Sequence, residues 1–291
     1  MQSSSTPQVT RDELECVKGQ MNFARRAPDE KAPEAAAPIG FDIPFVNYDV
    51  TIRNARPIVD ELSLDKEGFV LLQHKISCAN ERDPDVFKTK YLEEMVPFIK
   101  DYFNASWVTT VDLGGVTLRS IGGNTFGGAA SDGTEAAKHS VRNFGASFAH
   151  CDYAPIAGPQ VAARDDQLQG NEYRMYSRLM IIQAWRALSS PPQNFPLAFC
   201  DGSSIPATDL VAAPQTKYGA KIAAWIPYYS PAHRWYYFPD MTRDEFVLFK
   251  GYDSDTHYKP RSAHSAFDNR RAYPNAKPRE SVETRFYVYY D

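Results

Sequence analysis

Cysteine is scarce and scattered. The 291-residue chain has four: Cys16, Cys78, Cys151 and Cys200, with no CxxC pair among them. That spacing excludes a zinc ribbon and a close disulfide framework, and isolated thiols fit a reduced, cytoplasmic setting. No apolar run approaches the roughly 20 residues that a membrane-spanning helix needs. The opening MQSSSTPQVTRDELECVKG lacks the apolar centre of a signal peptide. A soluble cytoplasmic protein with no membrane partner is expected. Charge of one sign is also missing: 32 Lys and Arg stand against 36 Asp and Glu. Without a basic block, neither nucleic acid nor an anionic membrane surface is an expected partner. The glycine-rich stretch LGGVTLRSIGGNTFGGAASDGT (113–134) lacks GxxxxGK[ST], so it is not a phosphate loop.

Aromatic residues are plentiful, with 17 Tyr and 17 Phe, which suits strand-rich architecture. Residues 25–40, RRAPDEKAPEAAAPIG, read as an extended linker. Residues 1–40 are therefore expected to form an arm, with a short helix over 10–20, and residues 41–291 one domain. Within RDPDVFKTKYLEEMVPFIKDYF, Asp83 can cap a helix whose first position is Pro84. Val86, Phe87, Tyr91, Met95, Phe98, Ile99 and Tyr102 recur near helical spacing, and Pro97 should bend or divide that helix. FVLLQ (69–73) reads as a buried strand. From residue 178 onward, RLMIIQAWRAL, FPLAFC, KIAAWIPYY, HRWYYFP and EFVLFKGY are short strand-like runs punctuated by Pro, Asp and Gly. SVETRFYVYY alternates: Val282, Thr284, Phe286, Val288 and Tyr290 share one face, Glu283, Arg285, Tyr287 and Tyr289 the other. Strands in the second half with helices before them predict a mainly β sandwich or barrel with flanking helices.

One short motif can carry chemistry. In FAHCDY, His150 and Asp152 stand two positions apart, so an extended segment points both the same way. Two histidines and one carboxylate on one face of Fe(II) leave the opposite face open for a co-substrate and O2. A His-x-Asp pair is common by chance, so the third ligand decides. His233, His257 and His264 follow Asp152. His257 lies in the polar stretch YDSDTHY, which fits a solvated turn. His264 precedes Arg279-Glu280-Ser281. In 2-oxoglutarate oxygenases an arginine, with a Ser or Thr two residues on, binds the far carboxylate of the co-substrate, because the guanidinium fork matches it. Arg270 follows His257 at a similar interval, so spacing leaves both histidines open. The Ser281 hydroxyl favours His264.

The segments VTLRS, AHCDY, IIQAWRAL, PLAFCD, HRWYYFPDMTRDEFVLFKGYDSD, AHSAFD and PRESVETR resemble a fungal and bacterial hydroxylase/desaturase family. That family includes fungal gibberellin desaturase and the cephem methoxylation subunit. The likeness runs from about residue 47 to the C-terminus. It implies a double-stranded β-helix (jelly-roll, cupin-like) core and an Fe(II)/2-oxoglutarate-dependent oxygenase consuming O2. It implies iron ligands at His150, Asp152 and His264, and co-substrate binding at Arg279 and Ser281. Gln183-Ala184-Trp185-Arg186-Ala187 departs from the family's Asn-x-Trp-Arg-Pro. Arg119 and Arg186 can hold a substrate carboxylate or serve as structural ion pairs. Cys151 should face away from the metal. The expected reaction is oxidation of an unactivated C–H bond of a small secondary metabolite or amino-acid-derived molecule. Two other readings stay open: an auxiliary subunit of a two-component oxygenase, and a metal-free ligand-binding β-barrel. Substrate, reaction outcome and a homo- or hetero-oligomeric state are not legible.

Overall fold

The C-terminal alternation becomes the longest strand, β14 (Glu280–Tyr290), and organises the molecule. The computed structural model describes residues 10–26, 34–35, 43–110, 116–120, 148–172, 174–217, 220–257 and 262–291. The strands are β1 (Cys16–Ala24), β2 (Glu34–Ala35), β3 (Phe45–Asn54), β4 (Phe69–Gln73), β5 (Trp107–Thr110), β6 (Val116–Ser120), β7 (Arg178–Ala187), β8 (Leu197–Cys200), β9 (Leu210–Lys217), β10 (Ala220–Pro227), β11 (Trp235–Tyr237), β12 (Glu245–Asp253) and β13 (His264–Ala266), followed by β14. Two helices, α1 (Pro84–Phe103) and α2 (Ala157–Leu168), join them. One sheet runs β4-β12-β7-β14-β5, with β6 also on β14. The other runs β1-β3-β11-β8-β13, with β2 on β3, and β9 and β10 form a separate hairpin. The expected mainly β jelly roll with flanking helices is the observed architecture.

Both faces of the first sheet are covered. Val282, Phe286 and Val288 of β14 pack with Ile182 and Ala184 of β7 under Phe87, Tyr91, Met95 and Ile99 of α1. Each such side chain contributes about 1.5–3 kcal/mol on burial. Asp83 caps α1 by accepting from the Asp85 and Val86 amides, with Pro84 at the first position. Asn104, left-handed at φ 47°, ends it. The helix stays one element through Pro97, so the proline does not divide it. On the opposite face, Leu179 and Ile181 of β7 and Tyr287 and Tyr289 of β14 meet Ala157, Val161 and Ala162 of α2. Tyr289 donates to Asp166 at 2.6 Å, and Tyr287 donates to Asp165.

The N-terminal expectation changes. Residues 16–24 are not helical: they form β1, paired antiparallel to β3 from Cys16↔Arg53 to Ala24↔Phe45. Met21 and Phe23 are fully buried, so this stretch belongs to the sheet rather than to a free arm. Most of the expected linker (25–40) and of the glycine-rich stretch (113–134) lies outside the described residues. The segment 153–176, unassigned from sequence, contains α2.

Candidate metal centre

The two candidate histidines meet through their backbones. His150 N–H donates to His264 C=O at 3.1 Å, and His264 N–H donates to His150 C=O at 2.9 Å. Residues directly opposite in an antiparallel pair share a face, so the rings lie 4.3 Å apart. Asp152, two residues on, shares that face. Cys151 points the other way, exchanging both backbone bonds with Trp225 of β10 at 2.8 and 3.0 Å and packing in an apolar cluster with Met21 and Phe23. One ligand atom from each of His150, Asp152 and His264 falls within 4.8 Å of the others. This is the one such set among the described residues.

Each imidazole is fixed by its other nitrogen. His150 Nδ1 lies 2.9 Å from Phe148 C=O, and His264 Nδ1 lies 3.2 Å from Ser262 C=O. A carbonyl only accepts, so Nδ1 carries the proton and Nε2 turns a lone pair toward Asp152, whose oxygens lie 3.8 and 3.9 Å away. Burial, then the neighbouring His150, pushes the His264 pKa down to about 4 against the pull of Asp152 and Glu283. The neutral imidazole that results is the metal-binding form. The Phe148 ring lies tilted 4.6 Å from the His150 ring, and the Phe249 ring meets the His264 ring edge-on at 4.7 Å.

Arg279 is 1% exposed. Its guanidinium donates to Phe195 C=O and lies 5.7 Å from the Trp185 ring. No carboxylate pairs with it among the described residues, and its Nε and the Ser281 hydroxyl are buried without partners. Burial, with Arg119 nearby, pushes its pKa down to about 9, which Glu283 only partly offsets. A buried cation without an anion is costly, and an anionic ligand removes that cost.

The other expected residues separate. Arg119 lies on the inner face of β6, 3.6 Å from Glu283, beside this cation. Arg186 does not. It projects from the opposite face of β7, toward α1, and donates to the carbonyls of His74, at 2.7 Å, and Arg243. Its guanidinium lies 4.9 Å from the Phe246 ring. The substrate reading of Arg186 fails because strand alternation turns it away from the triad. His257 is exposed and pairs with Asp255 at 2.9 Å, and buried His233 pairs with Asp209 at 3.0 Å. Neither reaches the triad. His139 lies outside the described residues.

Arg285 and Glu283, near the triad, were not singled out from sequence, and Gln183 stood out only as a departure from the family pattern that could alter the pocket. Arg285 contacts Asp152 Oδ2 at 3.1 Å and Glu283 at 2.7 Å. Gln183 donates to the same Oδ2. Burial favours a neutral Glu283, but Arg285 and Arg119 outweigh it and hold the carboxyl well below its usual range. Gly251, at a register shift in β12, makes room for this cluster: a Cβ there would lie 2.7 Å from Gln183 Oε1 and 3.0 Å from the Tyr153 ring.

A jelly roll presenting two histidines and a carboxylate at one point is the architecture of a non-haem iron oxygenase. Residues 21–289 match the family described as "YDMC: Oxidoreductase/YMDC permease-like domain". Among the described residues no helix is long and apolar enough to cross a membrane. The chain is 30% identical over 257 residues to "Hydroxylase/desaturase efuI" of Hormonema carpetanum, covering 83% of each chain. It is 28% identical over 250 residues to "Fe(II)/2-oxoglutarate-dependent dioxygenase nvfI" of Aspergillus novofumigatus, again covering 83% of each. Its fold is similar to the solved "iron and alpha-ketoglutarate-dependent endoperoxidase NvfI", with TM-score 0.73 at 24% identity over 94% of this chain and 98% of that one. The chain belongs to the hydroxylase/desaturase family of Fe(II)/2-oxoglutarate-dependent dioxygenases.

Proposed function

We propose that His150 Nε2, His264 Nε2 and the Asp152 carboxylate hold Fe(II), and that Arg279 and Ser281 bind the far carboxylate of 2-oxoglutarate. The donor set fits the metal: two imidazoles with Nε2 turned toward a shared point and one anionic oxygen are the ligands Fe(II) oxygenases use. The buried, unpartnered Arg279 Nε and Ser281 hydroxyl fit the dicarboxylic acid. That lone guanidinium is the single observation that carries the reading, because metal-free packing alone gives no reason to bury it.

When bound, the metal would supply oxidation by O2: one oxygen atom would go into succinate as 2-oxoglutarate loses CO2, and the other into an unactivated C–H bond of the substrate as hydroxyl, or into water where the substrate loses two hydrogens. The chain's own part is placement. Phe148 and Ser262 carbonyls hold the protonated Nδ1 atoms, so both Nε2 lone pairs stay aimed inward. Burial keeps His264 neutral at working pH. Arg279 neutralises the far carboxylate, while the rings of Phe148, Phe249 and Trp185 keep water from the surroundings of these groups. The proposed substrate is a small secondary metabolite, in line with relatives named as hydroxylases and desaturases.

The test is succinate release by the purified chain with Fe(II), 2-oxoglutarate and a panel of terpenoid, polyketide and amino-acid-derived molecules. Substrate-dependent succinate supports the reading. Absence of both Fe(II) binding and succinate refutes it.

A further inference from the structure

Gln183 and Arg285 stand directly opposite each other in the β7–β14 register. Both reach one atom, Oδ2 of Asp152. Asp152 itself lies just past the short bridged stretch at residues 150 and 151. We propose that this cross-strand pair is a clamp of positioning residues, which makes Asp152 a one-oxygen ligand through Oδ1. The proposal rests on the iron assignment above.

A carboxylate oxygen offers about two lone-pair sites. Two donors on Oδ2 occupy both. Both oxygens face the imidazoles, Oδ1 3.8 Å from His150 Nε2 and Oδ2 3.9 Å from His264 Nε2, so it is the two donors on Oδ2 that leave Oδ1 as the atom to meet the metal. An unclamped carboxylate rotates freely, so it spends more time turned away from the metal, and when it does bind it can use both oxygens and take a coordination position that the co-substrate and O2 need.

The clamp is itself braced. Glu283, two residues along the same face of β14, holds Arg285 at 2.7 Å and lies 3.6 Å from Arg119 of β6. The alternating series Asp152, Arg285, Glu283, Arg119 leaves each charge beside an opposite one. Gly251 completes the arrangement, since any side chain there would displace Gln183.

Positioning and simple electrostatics predict opposite results. Removing Arg285 leaves more negative charge at the site, so charge alone predicts tighter cation binding. Loss of the clamp predicts weaker binding, by roughly 10- to 100-fold, as for other partners that orient metal ligands.

The experiment measures Co(II) affinity of the metal-stripped full chain by calorimetry for wild type, Gln183→Leu, Arg285→Met and His264→Ala. Thermal midpoints in chelator, and Co(II) absorption, which reports coordination number, accompany it. Gln183→Leu removes one donor without changing charge, so it stays informative even if Arg285→Met fails to fold. Weaker Co(II) binding and an altered spectrum in Gln183→Leu, with an unchanged midpoint, support the clamp. Wild-type affinity and spectrum in Gln183→Leu, or tighter binding by Arg285→Met, overturn it while leaving the metal centre standing. A wild type that binds no Co(II), or that His264→Ala matches, overturns the metal centre and the clamp together.

Discussion

His150 and His264, 114 positions apart in the chain (264 − 150), exchange both backbone hydrogen bonds. The proposed metal centre therefore rests on main-chain pairing rather than on side chains that find one another. The distal ligand needs no loop to deliver it, because the edge of β13 does so.

Truncating that ligand tests the centre. His264→Ala should lower Fe(II) affinity by more than the roughly 100-fold upper figure typical for residues that only orient a ligand. His257→Ala, at the exposed histidine paired with Asp255, should leave affinity and turnover at wild-type values. Metal content after reconstitution and anaerobic titration read both.

Arg279→Met should separate stability from function. Hydrogen bonds to charged groups contribute about 1.5–3 kcal/mol each, so the KM for 2-oxoglutarate should rise at least 10- to 100-fold. The same change removes a buried cation that pairs with no carboxylate among the described residues. The Phe195 carbonyl loses its donor in exchange, at about 1–3 kcal/mol, so folding stability without co-substrate should hold level or rise, by at most about 3 kcal/mol. Urea denaturation and steady-state kinetics check the two halves. A variant with lowered stability and unchanged KM would contradict the assignment.

Arg186→Met should do the reverse. Its loss strips donors from the His74 and Arg243 carbonyls, and an unsatisfied buried acceptor costs about 1–3 kcal/mol. The denaturation midpoint should fall while both KM values hold, which would distinguish a structural arginine from one that touches substrate.

The metal-free protein should weaken in mild acid. Unfolded, the His264 imidazole titrates near its ordinary 6.5; folded, burial beside His150 holds it at about 4. Between those values the unfolded chain binds the proton and the folded chain does not. Stability from this group is present above pH 6.5 and lost as pH falls toward about 4. Denaturation midpoints in chelator across that window should slope downward with acid for wild type and less steeply for His264→Gln.

Much of this was legible from residues. The Asp83 cap, the α1 stripe and the alternation of β14 are local rules, and each produced its element. His150 and Asp152 were legible because two-residue spacing works in any extended segment. What alternation cannot say is which face meets what. In β14 it separates Val282 and Phe286 from Glu283 and Arg285, but a charged row on a strand normally reads as solvated. Here α1 covers one face and the second sheet lies over the other, so the charges turn inward. The same ambiguity misplaced Arg186, one residue from the inward Trp185. β1 did carry a signal: Val17, Gly19, Met21 and Phe23 alternate. Charged residues on either side of that stretch masked it as a helix-bearing arm.

β14 has one more consequence. On the proposed assignments it bears Ser281 at the co-substrate's far end and Arg285 at the metal's carboxylate. Four residues of extended chain separate them, about 13 Å at 3.3 Å per residue. One stiff central strand thus fixes the spacing between the co-substrate's far-end hydroxyl and the residue that holds the metal's carboxylate. Bending or shifting that strand would move both sites together, so their separation is written into backbone geometry rather than into any loop.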